Sequence, residues 1–415
     1  MTSSAAQQGA AGTRAAGHAS ITVLAFLASL GSTWSAVRFD RVQLSDACLL
    51  FWAVAVLLVA GPAVLLRGPR WLLLPVLAAT VALVLQLFLT PESRPQLSEN
   101  VILLVRMLAA TALVPAVIIA SAHLQGRPAL GATVQGWVAS AAVSVLAEIW
   151  HLTGRALPAF VLQGLESERG FGLTLHPNSF GLTCALVLPF VLAGLRSRGP
   201  IPFVMALPTT ALMITGLLLA DSRSALIVAA VVVILAAGYL WTSSNAWHIG
   251  LPVTLLTVAA AIVYGPGVVS GTRLSGSGSA QDSDALRSVA RDEALALIQA
   301  SPIYGHQVSD VGAGVMALLG LLVAGGAVMA AGYYAYFAAT LVTLTRRVRD
   351  GDPLTGLSLI SVLSFLAVGL AQTTTVERYT FWPVGIGLAA AVAADARHRR
   401  DPAAAQPEPV PASGR

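Results

Sequence analysis

Apolar runs of about 18 residues or more recur along almost the whole chain, which is the length a helix needs to cross the hydrocarbon core of a bilayer. They fall at 20 to 37, 46 to 66, 71 to 90, 101 to 122, 129 to 150, 178 to 195, 201 to 220, 225 to 242, 247 to 264, 318 to 344, 354 to 371 and 380 to 396. The expected fold is an all-α polytopic integral membrane protein of about twelve transmembrane helices. Composition agrees: of 415 residues, 56% are hydrophobic and only 10% charged, which excludes an ordinary soluble domain.

Residues 1 to 19 are small and polar and lack the short apolar core of a secretory signal peptide, so the first run is expected to stay as an anchor after a disordered cytoplasmic N-terminus. Helices one to nine are expected within 20 to 264 and helices ten to twelve within 318 to 396, with a disordered cytoplasmic tail at 397 to 415. Cys48 and Cys184 both lie in apolar runs and imply neither a disulfide framework nor a zinc site.

With the N-terminus inside, the cytoplasmic segments carry Arg67, Arg70, Arg127, Arg196, Arg198, Arg346, Arg347, Arg349, Arg397, Arg399 and Arg400, as the positive-inside rule requires. The opposite side takes the loops around Asp40, Glu92, Glu166, Asp221 and Glu377, and most of the acids. It nevertheless keeps Arg38, Arg41, Arg94, Arg155, Arg169, Arg223, Arg273, Arg287, Arg291 and Arg378. Some of these arginines snorkel to headgroups or pair with a nearby acid. Several converging from different loops would instead hold a polyanion, because each guanidinium is a planar fork of donors matched to phosphate.

Three segments stand out on that side. Arg169-Gly170-Phe171-Gly172-Leu173-Thr174-Leu175-His176-Pro177-Asn178 combines a glycine-permitted turn with a proline-led helix start. Asp221-Ser222-Arg223-Ser224 interrupts the apolar stretch from 201 to 242, either as a local ion pair or as a charge facing a polar cavity, and Arg106 falls inside a run where an ionisable residue needs a reason. The longest interruption, 265 to 317, opens with a Gly/Ser-rich strip at 271 to 283 around Arg273. An amphipathic helix is expected at 283 to 299, with Leu286, Val289, Ala290, Ala294, Leu297 and Ile298 on the apolar face and Asp284, Arg287 and Arg291 opposite. Ser301-Pro302 should end it.

In their order and membrane placement these segments resemble the O-antigen ligase and O-antigen polymerase superfamily of polytopic membrane glycosyltransferases. The matching pieces are Arg169 to Asn178 before a helix, Ser222-Arg223-Ser224 between two helices, and Arg287 to Gly305 as an arginine-bearing helix followed by a Ser-Pro-x-x-Gly turn. The resemblance implies transfer of a glycan from a polyprenyl pyrophosphate carrier to an acceptor hydroxyl at the outer face of a bacterial cytoplasmic membrane, with both termini inside. It implies no cofactor beyond that lipid-linked substrate, no metal, no nucleotide sugar and no nucleic acid. Its partners would be the bilayer, the glycan donor, a glycan or other hydroxyl acceptor, and other polysaccharide-assembly proteins.

By the same resemblance Arg223, with Arg287 or Arg291, would hold the pyrophosphate, and Arg169, Arg273 and Asn178 would line the site. Fixed cations suit this chemistry because negative charge grows on the departing pyrophosphate. The chain departs from the family after the long loop: a His-Asn pair is expected about ten residues before two glycines, but counting back from Gly325-Gly326 reaches Val315-Met316. Either His306, Asp310 or His176 would then serve as base, or the reaction would proceed without strong base assistance, or this member has lost catalysis. A transporter or flippase, and a noncatalytic member of an envelope-polymer assembly complex, are the alternatives.

Overall fold

The computed structural model describes residues 20–39, 42–89, 97–161, 169–196, 199–242, 278–308, 316–348, 352–369 and 377–400. They are helical apart from turns, loops, one antiparallel ladder of two residues per strand, β1 (Arg38–Phe39) with β2 (Val42–Gln43), and an isolated antiparallel bridge between Val37 and Val161. The helices are α1 (Ser20–Leu30), α2 (Leu44–Ala60), α3 (Leu74–Leu89), α4 (Leu97–Met107), α5 (Val114–Gln125), α6 (Arg127–Leu152) and α7 (Pro177–Gly194). There follow α8 (Phe203–Ala220), α9 (Arg223–Thr242), α10 (Gly278–Ala300), α11 (Ala317–Val348), α12 (Pro353–Gly369) and α13 (Trp382–Arg400). A π-turn, Leu108–Leu113, joins α4 to α5 within one apolar unit, Ser98–Gln125.

Among the described residues seven helices are long and apolar enough to cross a membrane, and α1, α2 and α12 are apolar but shorter. The chain is therefore an all-α membrane protein. The expected run 247 to 264 lies outside the described residues. Two other expected runs are cut short. The run 20 to 37 ends as helix at Leu30, because Thr33 and Trp34 bond Ser140 (Thr33 Oγ1 to Ser140 Oγ 2.6 Å) and Ala36 N donates to Leu173 O, drawing the chain out into β1. The run 46 to 66 stops at Ala60, where Gly61 takes φ 73° and Pro62 opens a 3₁₀ turn.

Helix α7 sits at the centre, with 83% of its apolar window buried against 28% for α8 and 33% for α9. Small residues allow the close approach: Gly181 lies against Ala220, Ser222 and Ala225, and Gly216 against Val145 and Cys184. In lipid such backbone proximity and packing replace the hydrophobic driving force between helices. It also sets the start of α7 beside the turn from α8 to α9.

Helix α11 is broken. Its 32 residues would span roughly 48 Å if straight, but Gly325 (φ −137°, ψ 17°) and Gly326 (φ 61°, ψ −158°) leave the helical conformation. The turn 301–306 fills the break. Ala327 N donates to Pro302 O (2.9 Å), Val328 N to Ile303 O (3.2 Å) and His306 N to Val323 O (2.7 Å). Gln86 of α3, fully buried, reaches from the other side and donates to the carbonyls of Tyr304 (2.6 Å) and Ala324 (2.7 Å). Backbone groups released by a break at membrane depth must be bonded by protein, and here another stretch of main chain bonds them.

Helix α10 corrects two expectations. It begins at Gly278 rather than 283, since Ala280 and Gln281 are good helix formers and carry the helix into the Gly/Ser strip; residues 271–277 lie outside the described ones. Arg287, expected opposite Ala290 and Ala294, also shares their side of the helix. Ala294 is buried and Arg287, Ala290, Leu297 and Ile298 are half-buried, while Leu286, Val289 and Arg291 are exposed. At roughly 100° per residue, the small residues Ala290 and Ala294 define the face that packs against protein, and Arg287 belongs to it. Arg291, one turn on, lies just beyond its edge.

Candidate functional site

A buried carboxylate organises the segment before α7. Glu148, near the end of α6, is 2% exposed and its Oε2 accepts from the amides of Phe171 (3.2 Å) and Gly172 (2.8 Å). One turn earlier Ser144 Oγ accepts from Leu173 N (2.8 Å), and Ser35 Oγ accepts from Leu175 N (3.1 Å). Gly172 has φ 56° and a Cβ there would meet Ser144 and Phe180, which is why glycine occupies it. Replacing Glu148 by Ala leaves two buried amides without their acceptor, at about 1–3 kcal/mol each. Glu148→Gln retains one carbonyl oxygen and should cost about half as much. Thermal unfolding in detergent, comparing the two variants, checks this order.

The segment so held delivers a group of cations and acceptors. Arg169 donates through Nε to Ala220 O (3.1 Å) and through an Nη to Asn178 Oδ1 (2.9 Å), which ties the α7 entry to the end of α8. Asp221 there takes the left-handed conformation, φ 41° and ψ 47°, and turns the chain so that Arg223 opens α9. His176 caps α7, its Nδ1 accepting from Asn178 N (3.1 Å). Burial, and then the neighbouring guanidinium groups of Arg169 and Arg287, hold the His176 imidazole below its ordinary pKa. His176 is therefore neutral near pH 7 and fit to accept that bond. Its folded pKa lies below the unfolded value of about 6.5, so its stabilising contribution is complete above that pH and is lost as the pH falls toward the folded value.

A second charged group shares a wall with the first. Arg378, in the 3₁₀ turn Arg378–Phe381, donates to Ser45 Oγ (3.0 Å) and pairs with Asp46 in the first turn of α2. Burial, with a smaller contribution from Arg38, pushes the Arg378 pKa down to about 10, so it stays cationic at neutral pH. Arg38 Nε donates to the carbonyl of Ser35 (3.2 Å), the residue whose hydroxyl holds Leu175. Glu377 lies in the field of Arg106 and Arg38, and the π-turn Leu108–Leu113 packs against Arg378–Phe381.

Of the sequence-predicted residues, the structure gathers Arg169, His176 and Asn178 together, with Arg287 within electrostatic range of His176 and Arg223 at the adjoining turn. It sets Arg291 apart, exposed and bonded to its neighbour Asp292 (3.4 Å), because the helical register turns it off the packed face. His306 is exposed on the turn docked into α11. Arg273 and Asp310 lie outside the described residues. Arg155, another arginine of this side, lies over the Trp150 ring at 4.1 Å. Glu148, Glu377 and Gln86 were missed. A carboxylate in the run 129 to 150 and an amide in the run 71 to 90 were the available signals, since polar groups in spans are retained for a purpose.

The class these features define is an all-α membrane protein with a cluster of arginines around a neutral histidine where helices α7 to α9 meet. Neither a protein-family model nor a curated protein matches the chain.

Proposed function

We propose that the chain is a glycosyltransferase of the O-antigen ligase or polymerase type, which moves a glycan from a polyprenyl pyrophosphate carrier to an acceptor hydroxyl in cell-surface polysaccharide or glycoconjugate synthesis. The observation that carries this reading is that Arg169, bonded to Asn178 at the start of α7, and Arg287, from a helix distant in sequence, both lie within electrostatic range of His176, with Arg223 at the next helix start. Several guanidinium groups from separate elements fit a pyrophosphate better than they fit a neutral ligand. As the pyrophosphate leaves, its growing charge is stabilised in place, and the neutral His176 adds a donor at its free nitrogen. On this reading the site faces outward from a bacterial cytoplasmic membrane of about twelve spans, because Arg67, Arg70, Arg127, Arg196, Arg346 and Arg347 mark the opposite end as cytoplasmic.

The broken helix α11 is also a feature of secondary transporters, whose breaks bind substrate. Here the freed main-chain groups bond the chain's own 301–306 turn, which favours the enzyme. The test uses the full chain in nanodiscs with an undecaprenyl pyrophosphate-linked oligosaccharide. Glycan transfer to acceptor is expected, and inorganic pyrophosphate should raise the His176 pKa seen by NMR, because a bound polyanion favours imidazolium. Uptake into liposomes without transfer would put a transporter in its place.

A further inference from the structure

The carboxylates around this end of the bundle differ in how they are engaged. Glu148 is consumed by the amides of Phe171 and Gly172, and Asp46 by Arg378. Glu377 is different. Its main chain is fixed, its carbonyl accepting from both Thr380 N (3.1 Å) and Thr380 Oγ1 (2.5 Å), which opens the 3₁₀ turn before α13. Its carboxylate, by contrast, accepts no hydrogen bond and closes no ion pair among the described residues, and it is half-buried rather than sealed.

The surroundings of Glu377 come from four elements. Arg38 faces it from β1 and Arg106 from α4, with Arg378 and Tyr379 on its own turn. Asp46 and Ser45 of α2 stand behind Arg378. The wall on the other side is the arginine site: Arg38 bonds Ser35, Ser35 bonds the Leu175 amide next to His176, and α7 packs against Arg378–Phe381.

We propose that Glu377 is the catalytic base that the missing His-Asn pair leaves unassigned, taking the proton of the acceptor hydroxyl; the proposal rests on the glycosyltransferase reading. The acceptor O–H proton passes to a Glu377 carboxylate oxygen as the acceptor oxygen bonds the anomeric carbon. The bond from that carbon to the pyrophosphate oxygen breaks, its electron pair leaves with the lipid pyrophosphate held by Arg169, Arg223 and Arg287, and the proton later passes to water. Burial raises the carboxyl above its ordinary pKa while Arg106 and Arg38 oppose that rise. A carboxylate of raised pKa is a stronger base than an exposed one. Arg38 and Arg106 are positioning residues that favour its charged form.

The experiment measures transfer from an undecaprenyl pyrophosphate-linked oligosaccharide, and binding of undecaprenyl pyrophosphate alone, for the parent, Glu377→Gln and Glu377→Asp across pH 4 to 9. Glu377→Gln is expected to lower kcat about 10²- to 10⁴-fold, to remove the acidic limb of the rate profile, and to leave carrier binding within about threefold of the parent. Glu377→Asp should recover part of the rate with the limb moved. If Glu377→Gln does not fold, the limb in Glu377→Asp decides, and an unmoved limb overturns the proposal. A Glu377→Gln rate equal to the parent overturns it, as does a loss accompanied by lost carrier binding and an unchanged limb. Carrier binding without transfer by the parent overturns the transferase reading itself, and the base with it.

Discussion

Arg287→Ala is expected to reduce glycan transfer by about 10²- to 10³-fold, the loss found when one fixed donor to a developing anion is removed, while Arg291→Ala stays within about threefold of the parent. The two residues are one helical turn apart and equivalent by composition. They differ because α10 packs on the side that carries Ala290 and Ala294, which keeps Arg287 half-buried and within electrostatic range of His176 and leaves Arg291 exposed beside Asp292. An exposed ion pair between sequence neighbours contributes little, since solvent screens it. Arg287→Lys should recover only a fraction of the rate, because an ammonium keeps the charge and loses the fork. Initial rates on nanodisc-embedded variants, with monodispersity as a folding control, give the comparison. Equal damage from Arg287→Ala and Arg291→Ala would remove the basis for separating them.

The second large effect concerns folding rather than chemistry. Gly326→Ala should destabilise the protein by about 3 kcal/mol or more, since it combines backbone strain with overpacking. Gly326 has φ 61°, and an added Cβ would overlap the Ile303 carbonyl and the Tyr304 amide, main-chain atoms that cannot swing aside. Gly305 is the counterpart, with φ 73° and a Cβ position 2.5 Å from Gly325 N, so Gly305→Ala should behave alike. Gly238 is the control. It lies in α9 with open space where a Cβ would go, and Gly238→Ala should be neutral or stabilising by up to about 1 kcal/mol. Thermal unfolding in detergent ranks the three, and a Gly326→Ala protein as stable as Gly238→Ala would show that the docked turn contributes nothing.

Much of the scaffold was legible because apolar length is what a bilayer selects, so α6, α7, α8 and α9 begin and end within a few residues of the runs that predict them. The entry to α7 was legible too, since Arg169, His176, Pro177 and Asn178 are of the types that cap and turn a chain. The face of α10 was not. Periodicity gave an apolar face that included Leu286 and Val289 without showing which of its residues meet protein; close packing between helices selects small residues, and Ala290 and Ala294 took the contact. Glu148 and Glu377 were hidden for opposite reasons. One is an acid lost inside an apolar run, the other an acid in a loop that no local pattern distinguishes, and only the tertiary fold shows that the first accepts from two amides while the second accepts no hydrogen bond among the described residues.

The hydrogen bonds that join the 301–306 turn to α11 run from main chain to main chain, and the amide of Gln86 adds two more. Side chains at Ile303 and Tyr304 are therefore free to change as long as Gly305, Gly325 and Gly326 keep their backbone shapes. A latch of this kind leaves almost no imprint in residue identity. Two chains could share it, and with it the placement of the arginine-bearing helix, while having little in common beyond three glycines at the right separation.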